Sequence, residues 1–189
     1  MNKGYADFPL QQAANIRLLV LDVDGVLTDG RIILTDGNEQ LKGFDVRDGH
    51  GLKLLQRAGI KIAILTGRTS RVVEHRAREL GIEYIVQGSK NKSEGLDEIL
   101  AMVSASENEC AYMGDDIVDL PAMRRCRLGL APADAHPAVL EKAQWISDFA
   151  GGHGAARQAC EGLILASGTW QQVMAGPYGV SPADCGWPS

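Results

Sequence analysis

The chain has 189 residues, which suits one domain, and its 45% hydrophobic and 23% charged residues are typical of a soluble globular protein. Its net charge of −5 argues against a general nucleic-acid-binding protein, which normally carries a basic excess. No apolar run is long enough to span a membrane, and the first 15 residues lack a secretory signal. We therefore expect a cytoplasmic protein that binds neither nucleic acid nor membranes. The four cysteines have neither disulfide-framework nor metal-ligand spacing, so we expect free thiols.

Short apolar runs alternate with amphipathic stretches along the chain. The apolar runs predict strands at 17–21, 61–65, 84–86, 111–113, 128–130 and 145–146. The longer stretches predict helices at 51–58, 70–80, 93–103, 120–126, 137–143 and 154–166. This alternation predicts an α/β fold, a Rossmann-like doubly wound parallel sheet with helices on both faces.

Three segments depart from the alternation. Residues 31–34 and 40–44 flank Asp36-Gly37 and predict a β-hairpin inserted at about 31–44, too short to form a cap domain. Residues 1–15 look like a short frayed arm before a domain at 16–167. Residues 168–189 are rich in Gly and Pro, and we expect a tail that is mobile or ordered by a partner.

The most informative motif is Asp22-Val23-Asp24-Gly25, at the end of the first long apolar run. Open α/β sheets bind ligands at the carboxyl ends of their strands. Two carboxylates can face one ligand there only if the chain leaves the strand between them, which Gly25 permits. Because close carboxylates repel each other, we expect a cation among them.

Three further motifs follow in the sequence. Thr66-Gly67-Arg68 and Gly114-Asp115-Asp116-Ile117-Val118-Asp119 each follow a predicted strand, and Lys92 precedes a predicted helix. The carboxyl ends of parallel strands meet at one edge of a sheet. Together the four motifs, in this order, resemble the haloacid dehalogenase superfamily of phosphotransferases.

That resemblance, supported by the chemistry of the side chains, implies a role for each residue. Asp22 is the expected nucleophile, which forms an aspartyl-phosphate, and Asp24 the general acid and base. Thr66 is expected to bind a phosphoryl oxygen through its hydroxyl and backbone N–H, and Lys92 to balance negative charge. Mg²⁺ is expected on Asp22, Asp115 and the backbone carbonyl of Asp24. Asp116 or Asp119 is expected to hold metal-bound water or Lys92.

Each of these residues also has a purely structural explanation. Asp24-Gly25 could form a turn, Thr66 could cap a helix, and Lys92 could be a solvated lysine. Asp115 and Asp116 could cap the next helix. Lys90 competes with Lys92 for the catalytic role, and we prefer Lys92 because it directly precedes the helix. Because all the structural explanations would have to coincide, we favour the catalytic one.

Further blocks resemble the capless branch of the superfamily; they are residues 23–30, 44–49, 66–68, 91–92, 133–137 and 150–155. This resemblance implies hydrolysis of 3-deoxy-D-manno-octulosonate 8-phosphate, a small phosphorylated sugar acid, on the route to lipopolysaccharide. It also implies a homotetramer assembled on the hairpins, in which a neighbouring subunit and a C-terminal tail close the pocket.

Contacts to the sugar acid are expected from two regions. The first provides Asp45, Val46, Arg47, Asp48 and Gly49. The second provides Gly67, Arg68 and Arg76, whose guanidinium groups suit a carboxylate, although Arg76 could equally form a surface salt bridge. His50 and His153 depart from the branch, which often has an aromatic residue and an arginine at these positions.

Two alternatives stay open. A nine-carbon sugar acid phosphate would require the same residues for phosphoryl transfer. A non-catalytic regulatory or scaffold module would keep the fold, although such modules usually lose some of these residues.

Overall fold

The computed structural model describes residues 2–37 and 40–188. Its strands are β1 (Asn2–Lys3), β2 (Leu18–Leu21), β3 (Ile33–Leu34), β4 (Gln40–Leu41), β5 (Lys61–Leu65), β6 (Tyr84–Val86), β7 (Cys110–Met113), β8 (Leu128–Ala131) and β9 (Trp145–Ile146). Its helices are α1 (Leu10–Ala13), α2 (Val46–Arg57), α3 (Arg71–Leu80), α4 (Lys92–Val103), α5 (Leu120–Met123), α6 (Pro137–Lys142), α7 (Ala155–Ala166) and α8 (Gly176–Tyr178).

The main sheet is parallel throughout and has the order β1-β9-β8-β7-β2-β5-β6. The predicted α/β class is confirmed, and the six predicted strands occur within one residue of their expected bounds. The chain leaves β2 toward β5 on one side and later returns to β7 on the other. The order of the strands therefore reverses beside β2, where sheets of this kind bind ligands.

Alternation along β2 divides the core into two layers. Leu19 and Leu21 face a layer formed with α2, α3 and α7, whereas Leu18 and Val20 face a layer formed with α4, α5 and α6. Every residue of β2 is buried, as expected for a parallel strand covered on both faces. This burial fixes the point at which the chain emerges at Asp22.

The helix α2 begins five residues before its predicted start. The side chain of Asp45 accepts a hydrogen bond from Arg47 N at 2.6 Å and caps the helix. Two glycines in the first turns lower helix propensity and conceal this start in the sequence. One of them is required by packing, because a Cβ on Gly51 would lie 3.0 Å from Arg157 Cα on α7.

The arm expected to fray and the tail expected to be mobile or ordered by a partner both pack instead against their own chain. Phe8 of the arm is buried in the core layer formed with α2, α3 and α7. The tail contributes four residues to the same layer: Trp170, Val173, Met174 and Trp187. The tail forms a π-helical segment, Gln171–Ala175, that continues into α8. Aromatic residues spaced without a period anchor it, so hydrophobic periodicity does not reveal it.

The predicted hairpin is present as β3 paired antiparallel with β4, shorter than its expected bounds. Part of its turn, residues 38–39, lies outside the described residues. Within the part of the chain that the structure describes, no helix is both long and apolar enough to cross a membrane.

Candidate active site

Three of the four motifs meet at the carboxyl ends of β2, β5 and β7. The backbone N–H of Asp22 donates to Met113 O at 3.0 Å, which ties the end of β2 to the end of β7. Behind the first motif, the segment around Gly151 leaves no room for a side chain, since a Cβ there would lie 1.8 Å from Gly25 O. The glycine-rich block 150–155 therefore supports the loop that carries Asp24 and Gly25.

Lys92, rather than Lys90, reaches the centre of this edge. Its Nζ lies 2.9 Å from Asp22 Oδ2 and 3.0 Å from Asp119 Oδ1, and it donates to Leu65 O at 2.8 Å. The Lys92 side chain is 2% exposed, so its ammonium group is desolvated and is paired with these carboxylates. Lys90 is exposed at the rim.

Asp119 organises the segment after β7. Its Oδ1 also accepts from Tyr112 Oη at 2.7 Å, and its Oδ2 accepts from the backbone N–H groups of Asp115 and Asp116 at 3.1 and 3.3 Å. Both carboxylate oxygens are therefore in use, and Asp119 contacts Lys92, one of the two roles that the sequence leaves open. Asp116 is exposed and caps the next turn through Ile117 N. Tyr112 was not anticipated, although a tyrosine inside a buried strand needs a partner for its hydroxyl.

The carboxylates of Asp22, Asp115 and Asp119 form an acidic triad whose nearest oxygens all lie within 4.8 Å of one another. Burial, and then the charge of Asp119, raise the pKa of Asp22 above its usual value against the opposing effect of Lys92. Burial together with Asp119 and Asp22 raises the pKa of Asp115 to about 7. Asp115 Oδ1 is also buried with no hydrogen-bond partner among the described residues. Such clustered, under-satisfied oxygens fit a hard divalent cation.

Asp24 is half-buried and forms an ion pair with Lys42, which follows β4 of the hairpin. Lys42 was not predicted as a site residue, because a single lysine among apolar hairpin residues resembles an ordinary edge residue. Gly25, with φ of 88°, turns the chain after Asp24 and lies directly against Asp115.

A cavity of about 440 Å³ opens in front of these groups. Its lining comprises Asp22, Asp24, Gly30, Thr66, Gly67, Arg68, Ser89, Lys90, Lys92, Asp115, Asp116 and Val118. Thr66 differs from expectation in one respect, because its backbone N–H already donates to Val86 O at 3.0 Å. Its hydroxyl is therefore the group left to bind a phosphoryl oxygen.

The expected sugar-binding segment 45–49 and Arg76 do not line this cavity. Asp48 is 2% exposed and accepts from Arg157 N at 2.7 Å and Gly154 N at 3.2 Å, so it caps α7 within the fold. Gly49 lies under the guanidinium group of Arg76, which pairs with Glu79 at 2.8 Å and lies over the ring of Phe44. The salt bridge proposed as the alternative for Arg76 is therefore present.

The remaining residues of that segment face outward. Val46 is exposed, and Arg47 pairs with Asp45 at 2.8 Å and approaches His153 O at 3.4 Å. His50 contacts Arg157 through Nδ1 at 3.2 Å and packs edge-on against Tyr178 of the tail. Within one chain, none of these side chains reaches Asp22.

Comparison with known proteins gives the family. Residues 47–127 match the model of the haloacid dehalogenase-like hydrolases. The chain is also 43% identical over 176 residues to the 3-deoxy-D-manno-octulosonate 8-phosphate phosphatase KdsC of Yersinia pestis, an alignment that covers 93% of this chain and 92% of that protein. The chain belongs to the KdsC family of haloacid dehalogenase-like hydrolases.

Solved structures of KdsC-family proteins have the same fold. The Yersinia pestis phosphatase superposes with a TM-score of 0.85 at 43% identity and covers 87% of this chain and 89% of its own. The Moraxella catarrhalis phosphatase, solved with a magnesium ion, a phosphate ion and KDO, gives 0.85 at 37% identity over 88% of this chain and 96% of its own. The KdsC family therefore includes a member that carries a divalent cation, in keeping with the acidic triad here.

Proposed function

We propose that this protein is a Mg²⁺-dependent phosphatase that hydrolyses 3-deoxy-D-manno-octulosonate 8-phosphate to the free sugar acid and inorganic phosphate. The observation that carries the proposal is the buried pair of Asp22 and Lys92 at the mouth of a polar cavity, beside an acidic cluster with an unpartnered oxygen. The named activity of relatives that cover almost the whole chain supports the choice of substrate.

In this proposal, a carboxylate oxygen of Asp22 attacks phosphorus. The ester P–O bond breaks, and its electron pair stays on the sugar oxygen, which takes a proton from the carboxyl group of Asp24. The Asp24 carboxylate then removes a proton from the water that attacks the aspartyl-phosphate, which releases phosphate and restores Asp22. Lys92 neutralises charge beside the nucleophile, and the Thr66 hydroxyl orients a phosphoryl oxygen.

The residues that would hold Mg²⁺ are Asp22, Asp115 and the backbone carbonyl of Asp24. Asp119 supports this set from behind, since its own oxygens are engaged by Lys92, Tyr112 and two backbone N–H groups. When bound, the cation would reduce the repulsion between the nucleophile and the phosphate and stabilise the charge that spreads over the transferring phosphoryl group.

The sugar acid would lie toward the open side of the cavity. Arg68 is exposed on this rim and is the candidate partner of the substrate carboxylate, with Gly67 beside it. A neighbouring subunit would supply further walls, in a homotetramer. Ile32, Ile33, Leu34 and Leu41 of the hairpin are each about half exposed or more, which supports burial of this surface between copies of the chain.

The experiment is a phosphate-release assay on eight- and nine-carbon sugar acid phosphates with Mg²⁺ and with EDTA. We expect a higher kcat/KM for the eight-carbon substrate, no release in EDTA and no release by Asp22→Asn. A higher kcat/KM for the nine-carbon substrate would replace the proposed substrate. An absence of turnover on every sugar phosphate, with Mg²⁺ bound, would favour the non-catalytic module. Mass measurement in solution tests the tetramer.

A further inference from the structure

We propose that Lys42 is a positioning residue that orients the Asp24 carboxyl group for proton transfer, so that the hairpin takes part in the chemistry. This inference rests on the proposed phosphatase function. The expected role of the hairpin was assembly alone, and its lysine has no role in the mechanism described above.

Lys42 and Asp24 differ in burial. The side chain of Lys42 is 1% exposed, whereas that of Asp24 is 26% exposed. A buried ammonium group is costly unless it is paired, and among the described residues the partner of Lys42 is Asp24. The lysine is therefore fixed by the hairpin, and the more exposed carboxylate is the member of the pair whose orientation is determined by the contact.

Asp24 has negatively charged neighbours. Gly25, directly after Asp24, lies against the Asp115 carboxylate. Asp22 lies two residues before Asp24. Repulsion from these carboxylates favours rotamers of Asp24 that turn away from the reacting centre, and a cation in contact with the Asp24 side chain itself opposes this effect. Lys42 supplies that cation, because the ammonium group of Lys92 is already paired with Asp22 and Asp119.

The contact from Lys42 is made to one oxygen of the Asp24 carboxyl group. Lys42 donates to Oδ1 of Asp24. The other oxygen, Oδ2, is then the one that can exchange a proton with the leaving oxygen or the attacking water. A contact on one oxygen fixes the orientation of the carboxyl group without taking part in the proton transfer.

The test compares how the loss of kcat/KM in Lys42 variants depends on the leaving group of the substrate. A sugar alkoxide needs a proton in order to leave, whereas nitrophenolate does not, so only the first reaction depends on a well-oriented acid. Because kcat/KM covers the steps up to release of the leaving group, it isolates this difference. The variants are Lys42→Met, which removes the ammonium, Lys42→Arg, which keeps a cation, and Lys53→Met, an exposed control on α2.

For Lys42→Met we expect kcat/KM on the sugar acid phosphate to fall about 10- to 100-fold, part of the usual contribution of a general acid, and kcat/KM on p-nitrophenyl phosphate to stay within about threefold. Lys42→Arg is expected to recover most of the loss, and Lys53→Met to match the wild type on both substrates. Where Lys42→Met does not fold, Lys42→Gln, which removes the charge but keeps an N–H donor, is expected to show a smaller loss of kcat/KM, again on the sugar acid phosphate and not on p-nitrophenyl phosphate.

Equal losses on both substrates, or no loss on either, would overturn the positioning role while the proposed function stands. Wild-type protein that hydrolyses neither substrate would overturn the proposed function and the inference with it. The two failures are therefore distinguished by the wild-type control.

Discussion

Lys92 Nζ lies 2.9 Å from Asp22 Oδ2 at the carboxyl end of β2, with both side chains more than nine-tenths buried. The same ammonium contacts Asp119, so one buried cation serves two buried carboxylates. Asp115 adds a third carboxylate to the cluster. The metal-free centre therefore has an excess of negative charge, and this excess determines how variants and pH affect the protein.

Removal of the Lys92 ammonium group should lower the stability of the protein. We expect Lys92→Met to lower the free energy of unfolding by about 3 kcal/mol in EDTA, because it leaves two buried carboxylates without their partner. Phosphate release should be lost as well. Urea unfolding measures the stability change, and Lys90→Met, on an exposed neighbour, should stay within about 0.5 kcal/mol of the wild type. Equal stability of the two variants would contradict the pairing.

Replacement of Asp22 should have the opposite effect on stability. Asp22→Asn relieves repulsion from Asp119 and Asp115, and the amide oxygen can still accept from Val23 N, a bond of 2.6 Å in the wild type. We expect an inactive protein whose metal-free unfolding free energy equals or exceeds the wild-type value by up to about 1 kcal/mol, as is common where a site trades stability for function. A loss of more than about 2 kcal/mol in EDTA would show that the Lys92 pair outweighs the repulsion.

The positions of Asp22, Thr66, Lys92 and Asp115 could be predicted because each follows or precedes an element with a clear apolar pattern. Parallel strands end at one edge, so the motifs had to meet there. Lys92 lies at the start of α4 and is directed inward, whereas Lys90 is exposed, which is the placement that the preference for Lys92 requires. The grouping of these residues at one edge of the sheet could therefore be predicted from local sequence.

Contacts between distant segments could not be predicted in the same way. Asp48 looks like a ligand-binding residue in its motif, yet its partners, Gly154 and Arg157, lie about a hundred residues further along the chain. Lys42 and Trp187 likewise depend on three-dimensional contacts that leave no period in the sequence. The residues that were missed, or that lie elsewhere than expected, are those held by one long-range partner.

Stability should depend on pH through the acidic cluster. The pKa of Asp115 is raised from 3.8 to about 7, and that of Asp22 is raised too, so the folded protein keeps protons that the unfolded chain releases. As pH rises from about 4 to 7, the unfolding free energy of the metal-free protein should therefore fall. Mg²⁺ competes with those protons and should raise the melting temperature more at pH 8 than at pH 5.5.

Thermal unfolding at the two pH values, with Mg²⁺ and with EDTA, measures this dependence. Asp115→Asn should weaken both the pH dependence and the response to Mg²⁺. A melting temperature that rises with pH in EDTA, through the range from 4 to 7, would contradict the raised pKa values.

Variants of Asp48 distinguish a sugar-binding role for this side chain from a structural role as the cap of α7. If it caps α7, Asp48→Ala should lower the free energy of unfolding by about 1–2 kcal/mol and leave KM unchanged. Asp48→Asn, which keeps one acceptor oxygen, should cost less. Michaelis constants on the sugar acid phosphate, measured alongside urea unfolding, decide between the roles. A raised KM with unchanged stability would restore the sugar contact.

The tail could either stabilise its own chain or act on the active site of a neighbouring chain, and variants of the tail distinguish these two roles. Trp187 is 2% exposed, packs edge-on against Tyr5 at 4.9 Å and Phe8 at 5.6 Å, and donates from Nε1 to Glu161 Oε2 at 3.0 Å. These contacts join the two ends of the described chain through α7. Truncation of a buried tryptophan costs about 3–5 kcal/mol when the site cannot detach, but a terminal segment can open before the domain unfolds.

We therefore expect Trp187→Ala to increase hydrogen exchange across residues 170–188, with α7 and the sheet unchanged and a global loss well below that of a central core residue. Tyr178→Ala, on a half-exposed tail residue, is the matched control and should affect exchange less. Activity should be retained, because these contacts lie in the chain's own core layer formed with α2, α3 and α7 and not in the cavity that Asp22 lines. If Trp187→Ala instead reduced kcat and left exchange in the tail unaltered, the tail would act on a neighbouring active site, as the family resemblance alone implies.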